Sequence, residues 1–163
     1  MKITKIVLSA AMLVAPIAIH AQTTVKHLQP NEKAAIADGV WAGDTLYLSG
    51  QLASPVTPAD TAKGTPAVYG DTKTQAASVF AKIQTLLKAQ GLDMKDVVKM
   101  TVFLAGDPAN GGKLDFAGMQ SEYVKYFGTK DQPNKVARSA VQVAALAAPW
   151  ALLEIEVIAV KSK

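Results

Sequence analysis

The order of the predicted elements indicates an α+β fold, in which one β-sheet carries both of its helices on the same face. Three observations predict it: helical spacing of apolar residues between 71 and 91, a strand-like run at 96–106, and a second such run at 151–160. A hairpin before the first helix and another strand before the last complete the order β-β-α-β-α-β-β. With 163 residues, 50% of them hydrophobic, the chain is long enough for a single domain with its own core.

The N-terminal residues 1–21 have the pattern of a secretory signal peptide. Two lysines precede an apolar run at 6–19, which is too short to cross a bilayer comfortably, and Ala21 is the expected last residue before cleavage. We therefore expect a periplasmic or secreted protein in which 22–163 form one domain that makes no membrane contact after cleavage. An uncleaved membrane anchor is the alternative.

Composition argues against several classes of site. The net charge is +4, and because the lysines are scattered among acidic residues we expect no nucleic-acid partner. The chain has no cysteine, which excludes disulfides, thiol nucleophiles and thiolate metal ligands. Beyond the predicted signal peptide, only His27, near a predicted first strand, could serve a Ser-His-Asp relay or a histidine metal site, and we expect neither.

The first half of the domain contains a hairpin, a loop and the clearest helix. Residues 39–53 alternate in the manner of a hairpin around Gly43, and the prolines and glycines of 54–70 indicate a loop. Asp71 is placed to cap a helix that Gly91 ends. The apolar residues of this helix recur at helical spacing: Ala76, Val79, Phe80, Ile83, Leu86 and Leu87.

The second half follows with a strand, a helix and two more strands. The run at 96–106 is rich in β-branched residues and predicts a strand buried on at least one face. A second helix is predicted over 113–127, and strands are predicted over about 136–145 and 151–160. The apolar stripe of the second helix is assigned to the core: Phe116, Met119, Tyr123 and Phe127.

Both helices on one face leave the other face of the sheet without cover. A chain of this length has no further layer to place there. Large apolar faces of soluble proteins usually bind partners, so self-association is expected.

The only arginine of the chain, Arg138, lies inside an otherwise apolar strand. Because strand residues alternate between faces, it shares a face with small residues such as Ala140 and Ala144. Glu154 and Glu156 lie in the last strand, where an unpaired buried charge would be costly. The residues leave two readings open. One is a structural ion pair between Arg138 and one glutamate, and the other is binding of a small carboxylate, for which the planar fork of donors of Arg138 is suited.

Several segments together resemble the Rid family (YjgF, reactive intermediate deaminase). The segments "TLYLSGQLA", "GLDMKDVVKMTVFLAG", "FAGMQSEYVKYFG", "ARSAVQVAAL" and "LLEIEVIAV" occur in the family's order and spacing, over 39–161. The resemblance implies a chorismate mutase-like fold with two helices on one face of a mixed sheet. It also implies a homotrimer that joins three sheets into a central barrel, with ligand sites in clefts between neighbours. Members similar to the founding branch hydrolyse imines and enamines such as 2-aminoacrylate to 2-keto acids and ammonia, without a metal or organic cofactor.

The resemblance also implies roles for individual residues. Arg138 matches the arginine that holds the substrate carboxylate, and Glu154 matches the glutamate that orients or activates the attacking water. Ser49 and Gly50 match the turn that lines the pocket. The expected ligand is therefore a small imine or keto-acid carboxylate.

Other positions depart from the founding branch. Gln120 falls where that branch has an asparagine, and Ala140, whose backbone is expected to face the ligand, replaces a cysteine. The tyrosine found upstream of the first hairpin in that branch has no counterpart here, and Val136 replaces a proline. These differences indicate a divergent member of the family.

Four functions remain open from the sequence. The first is hydrolytic deamination of imines or enamines, and the second is non-catalytic binding of small carboxylates through Arg138. The third is an endoribonuclease, a description also used for such proteins, although the chain offers no histidine pair and no basic stripe with stacking aromatic residues. The fourth is a chaperone-like or structural trimer, in which replacing Arg138 with alanine would leave function unchanged.

Overall fold

A computed structural model of the chain describes residues 23–162; the predicted signal peptide, 1–21, lies outside these residues. Within them, two short 3-10 turns accompany six strands and two α-helices. In chain order these are β1 (Val25–Leu28), β2 (Gly39–Ala42), β3 (Thr45–Gln51), α1 (Thr72–Ala89), β4 (Val97–Leu104), α2 (Phe116–Tyr123), β5 (Ala137–Gln142) and β6 (Leu153–Val160).

The six strands form one mixed sheet in the order β1-β2-β3-β6-β4-β5. Every neighbouring pair is antiparallel except β4 and β5, which run parallel. The last strand of the chain, β6, therefore lies in the middle of the sheet, whereas β5 forms one edge. This arrangement confirms the predicted α+β class and its mixed sheet.

Local sequence explains why α1 begins and ends where it does. The Asp71 side chain accepts a hydrogen bond from the backbone N–H of Thr74 at 2.8 Å, which satisfies one free donor of the first turn. Two residues beyond Ala89, Gly91 has a φ of +74°, a conformation that favours glycine. The helix matches its predicted position.

Alternating burial along β6 shows which face of the sheet carries the helices. Leu153 and Ile155 are fully buried on that face, while Glu154 and Glu156 lie on the other. On the open face Tyr47 is 48% exposed. The protomer therefore leaves one sheet face uncovered by any helix within 23–162, as the sequence predicts.

The N-terminal edge of the sheet contains the strand expected near His27, which the predicted order β-β-α-β-α-β-β leaves out. β1, which includes His27, pairs antiparallel with β2. Its side chains are mostly exposed, so the apolar alternation that marks a strand in sequence is weak there. Pairing with β2, rather than local composition, makes this segment a strand.

The second helix is shorter than predicted. α2 covers eight residues instead of 113–127, because Asp115 caps it by accepting a hydrogen bond from the backbone N–H of Gly118 at 2.8 Å. After Tyr123 the chain continues in turns, in which the backbone N–H groups of Tyr126 and Phe127 both donate to the Tyr123 carbonyl. The predicted apolar stripe still faces inward at Met119 and Phe127.

No helix in 23–162 has both the length and the mean hydropathy that crossing a bilayer requires.

Candidate functional site

Arg138 lies on the edge strand β5, with its side chain on the helix-bearing side of the sheet. Its Cα is paired with that of Met100 in β4, which is fully buried on that side. The guanidinium Cζ lies over the ring of Tyr123, 4.1 Å from the ring centre, and 5.6 Å from the ring centre of Phe116. Its Nη1 lies 3.9 Å from Sδ of Met119. Three α2 side chains therefore surround the one arginine.

No carboxylate within the described residues pairs with Arg138. The salt bridges found there join Lys63 to Asp60 and Lys125 to Glu122. The reading of Arg138 as a structural ion pair with Glu154 or Glu156 therefore does not hold within one protomer. A half-buried guanidinium without an anion keeps donors for a ligand.

Two further predicted site residues belong to the same region. Ala140 lies two residues after Arg138 on the same strand face and packs against the core. Gln120 lies on α2, between Phe116 and Tyr123 along the helix surface. The Oε1 atom of Gln120 is buried and has no hydrogen-bond donor among residues 23–162. We call Phe116, Met119, Gln120, Tyr123, Arg138 and Ala140 the Arg138 cluster.

Glu154 lies in the central strand β6, on the opposite face of the sheet. Its Cα is paired with that of Phe103 in β4, and on its other side β3 shifts register between Leu48 and Gln51. The irregular pairing brings the backbone of Gly50 against the Glu154 side chain. A Cβ on Gly50 would overlap the Glu154 carboxylate, which would then have to move.

Ser49 uses its hydroxyl within the protomer. Its Oγ donates to the carbonyl of Ala37 at 2.6 Å, and its backbone N–H donates to the carbonyl of Asp38 at 3.0 Å. These bonds fasten the segment before β2 to the end of β3. The Ser49 hydroxyl can still accept a hydrogen bond from a ligand. We call Ser49, Gly50 and Glu154 the Glu154 cluster.

The structure brings the six predicted site residues together in two groups, not one. Arg138 and Glu154 lie on opposite faces of the sheet, and β4 lies between their strands. Since neighbouring strands are about 5 Å apart, β5 runs about 10 Å from β6. A single protomer therefore holds a cationic half and an anionic half that do not face each other.

Sequence reasoning placed three of the Arg138 neighbours in the core alone. Phe116, Met119 and Tyr123 follow helical spacing, which is also the spacing of an ordinary core stripe. Of these three, Phe116 is not a core residue, because 44% of it is exposed. Their proximity to Arg138 depends on how α2 lies across β5, which the local pattern does not encode.

In the part of the chain that the structure describes, no three histidine, cysteine, aspartate or glutamate side chains are grouped so that they could hold a metal ion.

Comparison with known proteins identifies the family. The family model described as Endoribonuclease L-PSP matches residues 27–161. A RutC family protein of Pyrococcus horikoshii is 37% identical over 125 residues, which cover 77% of this chain and 86% of that protein. A RutC family protein of Haemophilus influenzae is 36% identical over 135 residues, covering 80% and 93% respectively.

Solved structures agree with the sequence comparisons. Yeast Mmf1 superimposes with a TM-score of 0.64 at 33% identity, covering 85% of this chain and 100% of that chain. Escherichia coli TdcF with bound serine superimposes with a TM-score of 0.60, also at 33% identity, covering 79% and 90%. Because the family model and these relatives each span most of its length, the chain belongs to the Rid/YjgF family, the family of the endoribonuclease L-PSP model.

Proposed function

We propose that the protein hydrolyses imines or enamines of small carboxylic acids to 2-keto acids and ammonia. Arg138 binds the substrate carboxylate, and Glu154 activates the water that attacks the imine carbon. The observation that carries this proposal is the half-buried guanidinium, which has aromatic and sulfur neighbours but no acidic partner among residues 23–162. Family membership supports the reaction class.

The surroundings of Arg138 are suited to binding a carboxylate. A guanidinium offers parallel N–H donors that match the two oxygens of a carboxylate. The Tyr123 ring lies against the guanidinium, so the donors at its edge remain for the ligand. E. coli TdcF, a structural neighbour, was crystallised with bound serine, which is a small molecule with a carboxylate.

The two clusters become one site when a second copy of the chain supplies the missing half. Homo-oligomers are general in the family and trimers are typical of it. We propose that this chain forms a homotrimer in which the open sheet faces meet. The Arg138 cluster of one protomer would then lie beside the Glu154 cluster of its neighbour, in the cleft between them.

The chemistry needs only water in addition to the substrate. Glu154 accepts a proton from water as the oxygen attacks the imine carbon and returns it to the nitrogen, which gives a neutral tetrahedral carbinolamine. Glu154 then passes the hydroxyl proton of the carbinolamine to the nitrogen, the C–N bond breaks, and ammonia leaves as the carbonyl forms. An imine is already electrophilic, so positioning by Arg138 and one general base is sufficient catalysis.

The test uses an imine generated in situ by an amino-acid oxidase. Imine loss is followed with the full protein, with Arg138→Ala, and with Lys63→Ala as a control for removal of an exposed cation. We expect the full protein and the control to accelerate hydrolysis, and Arg138→Ala to return it to the buffer rate. Acceleration by Arg138→Ala equal to that of the full protein would reject the assignment.

A non-catalytic carboxylate binder is the second candidate. It is favoured by the fact that the Arg138 cluster is formed by one protomer without any residue of the Glu154 cluster. Saturable binding of 2-ketobutyrate, together with imine loss at the buffer rate, would favour this candidate over the hydrolase.

We also propose export from the cytoplasm, which rests on the sequence pattern of 1–21 alone. Mass spectrometry of the protein recovered outside the cytoplasm should show a new N-terminus close to position 22. An intact N-terminus in the cytoplasmic fraction would contradict export.

A further inference from the structure

The ring of Tyr123 links Arg138 to the centre of the protein. On one side it packs against fully buried Phe80 of α1, with ring centres 6.4 Å apart and planes at 60°. On another it stacks with Phe127, with ring centres 4.9 Å apart. The Arg138 guanidinium lies over the same ring. The core therefore determines where this ring can be, and the ring faces the guanidinium.

We infer that Tyr123 is a positioning residue, whose ring face holds the Arg138 guanidinium in the orientation that binds a carboxylate. The role in binding rests on the proposed function, whereas the orientation itself is a property of the free protein.

Arg138 needs such support because of where it lies. It projects from β5, which has a neighbouring strand on one side only. An arginine side chain loses considerable rotamer freedom when it is held in one geometry, and here no carboxylate in 23–162 holds it. The guanidinium donates one weak hydrogen bond within these residues, from Nη1 to Sδ of Met119 at 3.9 Å, and sulfur is a weak acceptor.

A ring face is suited to hold a guanidinium that must remain free to bind an anion. The quadrupole of the ring attracts the cation through its face, whereas a carboxylate would occupy the same N–H donors that the ligand needs. Phe116 adds a more distant ring at 5.6 Å and is half exposed, so it supports the guanidinium less. Tyr123 is the ring that both approaches Arg138 closely and is anchored by the core.

The alternative is that Tyr123 only fills space in the core. Replacement by a smaller residue does not separate these roles, because it would also loosen the packing on Phe80. Fluorination of the ring does separate them, since it weakens the negative potential of the ring face with little change of shape. Tyr126 provides a matched control, because it also packs on Phe80, with ring centres 5.3 Å apart, and makes no cation–π contact with Arg138.

The experiment measures the arginine side chain directly. Because Arg138 is the only arginine, its Nε–H group gives a single side-chain signal in a nitrogen-15 NMR spectrum and needs no assignment. The spectrum is recorded for the full chain with Tyr123→Phe, and with a mono- or trifluorinated phenylalanine at this position. The same series is made at Tyr126. Binding of 2-ketobutyrate is measured on every variant by calorimetry.

We expect the Nε–H signal to move and broaden progressively with fluorination at position 123, and not at position 126. Binding of 2-ketobutyrate should be within about twofold of the unchanged protein for Tyr123→Phe, which keeps the ring face, and should weaken about 10-fold with the trifluorinated ring. In the Arg138→Ala background, fluorination should not alter any residual binding.

The outcomes separate the two claims. An Nε–H signal that is insensitive to the ring at position 123 overturns the positioning role, whether or not the protein binds keto acids. Equal sensitivity at positions 123 and 126 also overturns it, because the effect would then come from packing. A signal that depends on the ring at 123, in a protein that binds no keto acid, supports the orientation of Arg138 by Tyr123 and rejects the proposed function instead.

Discussion

The Arg138 cluster and the Glu154 cluster hold opposite charges by different means. Arg138, at the edge of the sheet, is surrounded by side chains from α2, above all the Tyr123 ring. Glu154, in a central strand, lies against the backbone of Gly50, where a Cβ would overlap its carboxylate. The cation thus depends on side-chain chemistry and the anion on backbone geometry. Changes to the electronic character of the Tyr123 ring should therefore disturb the Arg138 cluster. A side chain added at Gly50 should disturb the Glu154 cluster.

The largest expected effect concerns whether the two clusters meet. Arg138→Ala and Glu154→Gln should each abolish imine hydrolysis, but co-refolding the two inactive variants in equal amounts should restore activity. If each site takes Arg138 from one protomer and Glu154 from its neighbour, about a quarter of the sites in random trimers are intact. Activity is measured before and after co-refolding.

Each variant refolded alone serves as the control. A mixture that stays inactive, although native mass spectrometry shows mixed oligomers, would mean that the clusters do not complete each other across a protomer boundary.

The next largest effect concerns the Glu154 cluster alone. Gly50→Ala places a methyl group where the Glu154 carboxylate lies and so displaces it. Because small misplacements of a catalytic group are costly, we expect imine turnover to fall about 100-fold. Binding of 2-ketobutyrate, which depends on Arg138, should change much less. A loss of 2-ketobutyrate binding as large as the loss of turnover would show that Gly50 acts in another way.

A smaller effect concerns the stability of the region that leads into β6. Buried Gln75 of α1 accepts a hydrogen bond from the Leu152 N–H at 2.9 Å and donates to the carbonyls of Trp150 and Gly70. Gln75→Leu leaves these backbone groups without partners and should lower the free energy of unfolding by about 2 kcal/mol. Urea unfolding measures this.

The matched substitution Gln84→Leu, which removes one part-buried bond to Asp93, should cost less. An equal cost for both variants would contradict the role of Gln75 in holding the chain at the start of β6.

The smallest effect concerns the N-terminus of α1, the helix that contributes Phe80. Hydrogen bonds from the Thr74 side chain and backbone hold the pKa of Asp71 below its usual range. A lowered pKa in the folded state means that the carboxylate stabilises the fold at neutral pH, and that this contribution is lost as the pH falls below about 4. Asp71→Ala should cost about 1 kcal/mol at pH 7 in urea unfolding.

Asp71→Asn keeps a capping oxygen and should retain most of the stability at pH 7, but with a weaker dependence on acid. If Asp71→Asn and the unchanged protein lose stability in parallel between neutral pH and pH 3, the capping charge does not contribute as described.

The sequence predicts those parts of the fold that have a strong local period. α1 lies where its apolar spacing and Asp71 place it, and the run at 96–106 contains β4. β1 is an exposed edge strand whose existence depends on β2, and the extent of α2 depends on the Asp115 cap. Local patterns encode neither strand partners nor the ends of short helices.

The candidate site, like the fold, could be predicted from local sequence only in part. The resemblance to the family identified Arg138 and Glu154 as site residues. The alternation of side chains along each strand then predicted which neighbours share a face with each of them. Which strands are neighbours, and which face carries the helices, depends on contacts between distant parts of the chain. The separation of the site into two halves on opposite faces therefore could not be predicted from β5 and β6 taken singly. The roles of the six site residues stay predictions.

The position of β6 has a consequence for how the protein is made. The eight residues that complete the sheet, Leu153–Val160, follow the other five strands in sequence, yet β3 and β4 both pair with them. The group β1–β3 and the pair β4–β5 therefore stay unjoined until β6 has been synthesised, and pairings between such distant segments form slowly. A chain stopped before Leu153 should show little amide hydrogen protection, whereas loss of the edge segment Val25–Leu28 should leave the rest of the sheet protected.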